Sequence, residues 1–133
     1  MGDQISIKMQ DGFELNAYRS MPSAQSKGVV VVIQEIFGVN AHIREVADGY
    51  AAQGYSAIAP ALFDRIERDI ELGYAEADMG KGIELAFQGL EMAQTMKDLQ
   101  SVVDYGAAQG AVGVVSQNQA IDDLSALTGL TFP

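Results

Sequence analysis

The sequence contains no cysteine. That excludes a disulfide framework, a thiolate metal site and a cysteine nucleophile, and it fits a reducing compartment. Basic residues are scarce, eight Lys and Arg against eighteen Asp and Glu, for a formal net charge of −10. Phosphate contacts need clustered Lys and Arg, and these eight are scattered from Lys8 to Lys97. Nucleic acid is therefore not expected as a partner. Long apolar runs are lacking as well. The longest, Val29 to Ile33, is far too short to span a bilayer. The N-terminus, Met1-Gly2-Asp3-Gln4, has neither the basic flank nor the apolar segment of a signal peptide. No membrane association and a cytoplasmic location are expected. No internal repeat or low-complexity tract is present, and His42 is the one histidine.

What is there is globular: 48% apolar and 20% charged residues in a chain of 133, the length and composition of a single domain over 1–133. Ile5, Ile7 and Met9 alternate with polar neighbours, Asp11-Gly12 supplies a turn, and Phe13, Leu15 and Ala17 alternate again, a hairpin pattern. Gly28 to Ile33 is a continuous β-branched run, which suits a strand buried on both faces of a parallel sheet. The loop Gln34 to Val39 follows, with Asn40 as the N-cap of a helix. Its apolar stripe is Ile43, Val46, Ala47, Tyr50 and Ala51. Tyr55 to Ala59 is the next strand, completing a βαβ unit.

Residues 61–82 read as a loop with one short helix around Glu67 to Met79, and Gly73, Gly80 and Gly82 read as breaks. From Ile83 to Gln109 apolar residues recur every three or four positions, predicting one long helix weakened at Gly89 and Gly106. Ala111 to Val115 is a fifth strand. The expected class is α/β: an N-terminal β-hairpin, then a mostly parallel sheet with helices on both faces.

Glu35 stands out because it follows the most apolar strand, at the carboxyl edge where open α/β sheets bind ligands. A carboxylate there is desolvated unless paired. On local sequence alone, a salt bridge to an arginine or a solvated loop glutamate is the simpler account. The wider pattern adds to this. Gln34-Glu35-Ile36-Phe37-Gly38-Val39-Asn40, the Arg44-Glu45 pair, Gln53-Gly54-Tyr55 and Pro60-Ala61-Leu62-Phe63-Asp64-Arg65 together resemble the dienelactone hydrolase family. The resemblance extends over residues 1–115. It implies a partial α/β-hydrolase fold and, for the family, hydrolysis of small esters or lactones at a nucleophile elbow, with no metal or other cofactor. By the same resemblance, Glu35 matches a carboxylate that helps activate the nucleophile, and the Ile36 backbone N–H matches an oxyanion-hole donor. Phe37 matches a wall of the acyl pocket, although core packing explains it as readily.

The pattern breaks after Val115. The family elbow reads glycine, any residue, cysteine or serine, any residue, glycine, whereas this chain reads Ser116-Gln117-Asn118-Gln119-Ala120. The nucleophile position holds Asn118, whose amide nitrogen cannot form an acyl intermediate, and both glycines that the strained turn requires are replaced. Ser116 lies two residues early. His42 precedes the elbow, whereas the hydrolase order puts histidine last, so a surface place near the helix start is expected for it. Residues 116–133 read either as a degenerate elbow and helix, with Ile121, Leu124 and Leu127 at helical spacing, or as a replacement after Val115 by truncation or frame change.

An incomplete sheet would leave the fifth strand as an apolar edge, and such edges self-associate. Three readings result. The chain is a catalytically incomplete hydrolase; it is a non-catalytic interaction or small-molecule-binding module forming a homo-oligomer through the fifth strand; or it is a fragment without independent function. The carboxylates Asp122-Asp123 and Glu67 to Asp78 lack calcium-loop spacing, so no metal is expected.

Overall fold

The computed structural model describes residues 2–108 and the backbone of Val112–Ser116. Its centre is a five-stranded sheet in the order β1-β2-β4-β3-β5. Strands β1 (Asp3–Lys8) and β2 (Glu14–Ser20) form the expected hairpin. Strand β3 (Val29–Ile33) lies parallel to β4 (Ser56–Pro60) on one side and to β5 (Val112–Ser116) on the other. The hairpin joins through β2, which runs antiparallel to β4 from Ala17↔Pro60 to Ser20↔Ala57. The sheet is therefore mixed, parallel beyond the hairpin.

The β3 sequence explains its place between two parallel neighbours. All five residues are buried, and successive side chains enter opposite layers because a strand alternates its faces. Val29, Val31 and Ile33 pack with Ile7, Leu15, Ile58, Leu99 and Val102. Val30 and Val32 pack with Ile43, Ala47, Ala57 and Ala59. Helix α1 (Ala41–Ala52) thus covers one face and helix α3 (Met92–Ala107) the other, as the patterning predicts. Asn40 caps α1, its side chain accepting from the Ile43 N–H at 3.1 Å. Asp48 of α1 accepts from the Tyr18 hydroxyl at 2.7 Å and the Ser20 hydroxyl at 2.8 Å. Burial first, and then the Asp48 carboxylate, push the Tyr18 phenol above its ordinary pKa.

The middle of the chain differs from the sequence reading. No helix spans Glu67 to Met79. A 3-10 turn covers Leu62–Arg65, the chain is irregular to Ala75 with Asp69 at φ 60°, and α2 runs from Glu76 to Ile83, through Gly80 and Gly82. The single helix expected from Ile83 to Gln109 is also broken. A π-helical turn, Glu84–Gly89, follows α2, Leu90 is extended at φ −74° and ψ 136°, and α3 starts afresh at Met92. The apolar periodicity misled here because Ile83, Phe87 and Met92 are exposed, Phe87 to 77%. Leu85 is buried in the π-helical turn, and the stripe that packs on the sheet is Met96, Leu99 and Val102. Among the described residues no helix is long and apolar enough to cross a membrane.

Candidate functional site

Beyond β3 the chain crosses to α1 on one face, while beyond β4 it returns through α3 on the other. The carboxyl ends of β3 and β4 form the switch point at which open α/β sheets present ligand sites. Residues 34–40 occupy it. They fold into a tight loop in which the Gly38 N–H donates to the Glu35 carbonyl at 3.2 Å.

The loop is clasped from outside by residues 69–74. The Leu72 N–H donates to the Phe37 carbonyl at 2.9 Å. Asn40 Nδ2 donates to the Leu72 carbonyl at 3.4 Å and to the Tyr74 hydroxyl at 3.3 Å. Arg44 Nη1 donates to the Val39 carbonyl at 3.0 Å, and Nη2 meets Glu71 Oε1 at 2.6 Å. The Glu71 hydrogen bond, outweighing partial burial, raises the Arg44 pKa. Phe37 and Tyr74 stack edge to face at 4.6 Å, a geometry favoured by the ring quadrupoles. Two glycines make room for these approaches. Gly38 has φ +79°, and a Cβ on it would lie 2.3 Å from the Ile70 carbonyl oxygen. A Cβ on Gly82 would lie 2.3 Å from the Ile36 carbonyl oxygen. Gly82 is thus a contact of α2 with the loop, not the break its residue type suggests.

Glu35, Ile36 and Phe37 lie together and half-buried in this loop. Among the described residues the Glu35 carboxylate has no hydrogen bond or ion pair, so the arginine salt bridge is not its explanation there. The N–H groups of Ile36 and Phe37 likewise donate to no acceptor among the described residues. Phe37 sits against Tyr74 and not in either hydrophobic layer. His42 is exposed in the first turn of α1. Asn118 lies outside the described residues, and Ser116 closes β5, whose backbone pairs with Ile33.

A polar cleft of about 110 Å³ opens beside the loop, lined by Gln34, Asn16, Arg44, Asp64, Asp69 and Glu71 among others. Glu35, Ile36 and Phe37 do not line it. A larger depression of about 530 Å³, bordered by Ser20, Met21, Lys27, Asp48 and Gly54, is at the opposite, amino end of the parallel strands. Neither hollow is lined by Glu35, Ile36 or Phe37. No group of three or more metal-ligating side chains occurs among the described residues.

Sequence reasoning missed a second cluster. Arg65 donates to Asp98 through Nε at 2.7 Å and Nη2 at 2.9 Å, and to both oxygens of Asp11 at 2.9 Å. Its guanidinium also lies 4.6 Å from the Phe13 ring centre. Those bonds hold the Asp11 carboxyl down at about 2, chiefly through Arg65. Asp64, one residue earlier, is buried, which raises its pKa against the opposing Asn16 N–H and Arg68. Arg65 stands within the quoted sequence pattern, but its partners lie 54 and 33 positions away, and no local spacing signals them.

Comparison with known proteins covers most of the chain. The model of the dienelactone hydrolase family matches residues 15–116. A Synechocystis sp. protein assigned as a carboxymethylenebutenolidase is 44% identical over 102 residues, 76% of this chain and 41% of that protein. The carboxymethylenebutenolidase of Pseudomonas putida is 32% identical over 115 residues, 84% of this chain and 49% of that one. A crystal structure from Klebsiella pneumoniae assigned as a dienelactone hydrolase superposes with a TM-score of 0.70 at 28% identity. It is matched over 87% of this chain and 49% of its own. The chain spans about half the length of the relatives it matches.

Proposed function

Because this chain belongs to the dienelactone hydrolase family, we propose that residues 34–40 are the oxyanion-binding side of a site for small esters or lactones. In this reading the Ile36 N–H receives negative charge developing on the acyl oxygen. Glu35 is the carboxylate that assists a nucleophile, and Phe37 is a wall for the acyl group. One observation carries the reading. At the switch point of the sheet, the Ile36 N–H has no acceptor among the described residues. A backbone donor left unspent beside a strand end is what a transiently charged oxygen requires, and such a donor contributes roughly 3–4 kcal/mol to a transition state.

Residues 1–133 on their own hold this side of the site without turning a substrate over, because Asn118 occupies the nucleophile position and an amide forms no acyl intermediate. The test is incubation with p-nitrophenyl acetate. Release of p-nitrophenolate at the buffer rate is expected. Turnover above buffer that disappears in Glu35→Ala would overturn the inactivity. A second reading is favoured by the sheet order, in which β5 pairs only with β3 among the described residues. In it the chain self-associates through β5.

A further inference from the structure

We infer that Gln34 is a positioning residue that fixes the Glu35–Ile36 peptide plane and so aims the Ile36 N–H at the bound oxyanion. The inference rests on reading this loop as the oxyanion side of the site. It concerns a different residue and a different property, the direction of one bond.

The side-chain amide of Gln34 has two partners. Its Oε1 accepts from the Leu62 N–H at 2.9 Å, and its Nε2 donates to the Glu35 carbonyl at 3.0 Å. A backbone N–H can only donate and a carbonyl can only accept, so only one of the two amide orientations satisfies both. Leu62 opens the 3-10 turn just past β4. One side chain therefore ties the carboxyl end of β3 to that of β4 and holds a loop carbonyl between them. The Glu35 carbonyl takes a second bond from the Gly38 N–H at 3.2 Å.

That carbonyl and the Ile36 N–H belong to the same peptide unit. The unit is planar, and no peptide bond in the described chain is cis. Carbonyl and N–H in a trans unit point in opposite directions. Two donors converging on the carbonyl oxygen therefore leave the N–H with one direction, away from Gln34 and Gly38. On the far side of Ile36, its own carbonyl is packed against Gly82, so the residue cannot swing as a whole. Only the Nε2 contact is supplied by a side chain, which makes it removable by substitution without breaking a strand ladder.

The experiment follows the Ile36 amide of the 15N-labelled chain by NMR. The residual dipolar coupling reads the direction of the N–H bond, and methylphosphonate serves as a small oxyanion probe. Gln34→Glu keeps an acceptor for Leu62 but sets an oxygen against the Glu35 carbonyl. Gln34→Met removes both bonds. In the unaltered chain methylphosphonate should shift the Ile36 resonance. In Gln34→Glu at pH 7 the Ile36 coupling should change, and methylphosphonate should bind about tenfold more weakly, as expected for one misaligned charge-assisted hydrogen bond. Lowering the pH through the carboxyl range, about 4.3 for an ordinary glutamate, restores an O–H donor. The Ile36 coupling should then return toward its unaltered value, while Gln34→Met shows no such recovery. Couplings of Val30 to Val32 report whether the sheet is intact.

A variant that loses melting temperature but keeps the Ile36 coupling and the methylphosphonate response would reduce Gln34 to a structural tie and overturn the inference. If the unaltered Ile36 amide ignores methylphosphonate while its coupling still changes in Gln34→Glu, the positioning stands and the oxyanion reading falls.

Discussion

Gly82 carries an unusual load for a residue in the last turn of α2. A helical glycine costs on the order of 1 kcal/mol relative to alanine, so Gly82→Ala should stabilise α2 in isolation. In the folded chain the added methyl would sit 2.3 Å from the Ile36 carbonyl oxygen, a backbone atom that cannot rotate aside. The clash should win, costing about 1–3 kcal/mol as overpacked sites do, and it should move the Ile36 amide resonance. A melt showing Gly82→Ala more stable than the unaltered chain would refute the contact. Asp11 makes a prediction with pH. Its folded pKa of about 2 lies below the ordinary 3.8, so its contribution to stability is present above about pH 4 and is lost as pH falls toward 2. Asp11→Asn should show a smaller drop in melting temperature over that interval than the unaltered chain.

At the scale of elements, the Arg65 cluster fastens three pieces that share no ladder: the hairpin turn through Asp11, the 3-10 turn through Arg65, and α3 through Asp98. The Asp98 side chain is 3% exposed and that of Arg65 18%. Removing Asp98 takes away the buried half of this cluster and leaves Arg65 with the exposed Asp11 as its remaining carboxylate partner among the described residues. Asp98→Ala should therefore destabilise by about 3 kcal/mol in urea unfolding with an unchanged slope. The apolar pair Arg65→Met with Asp98→Leu should recover much of that loss, and failure to recover any would point to a role for the charges beyond stability. None of this was legible locally. Asp11 reads as a turn residue, which it also is, while Asp98 reads as the polar side of a helix. The misread helix over 83–109 has the same origin. Apolar residues at helical spacing say nothing about which of them meet the sheet: Met96, Leu99 and Val102 pack on it, while Ile83 and Phe87 are exposed.

For the whole molecule, the sheet and its two covering layers were legible because β3 and its neighbours carry short-range signals that agree. The unbroken Val29 to Ile33 run predicts burial on both faces, Asn40 caps α1, and the stripe from Ile43 to Ala51 meets the sheet. The candidate loop was legible through family resemblance and not through spacing. Its clasp was not, since Glu71, Leu72 and Tyr74 lie some thirty positions beyond their partners. Self-association through β5 belongs at this scale too. A strand edge favours pairing, while a net charge of −10 opposes it through like-charge repulsion. If the edge dominates, sedimentation at tens of micromolar should give a defined oligomer whose population grows with salt. A monodisperse monomer at every ionic strength would exclude it.

The sheet order also sets a timetable for synthesis. The hairpin closes within eighteen residues, from Asp3 to Ser20, and β3 gains its first neighbour when Ser56 pairs with Val29. Its second neighbour, Val112, follows Ser56 by 56 positions, which at ~5–20 residues per second is roughly 3–11 s of translation. For that interval the most apolar strand of the chain stands at the ribosome with one row of backbone groups unmatched. Slow codons between positions 60 and 112 lengthen it, and the yield of folded chain should fall with each second added.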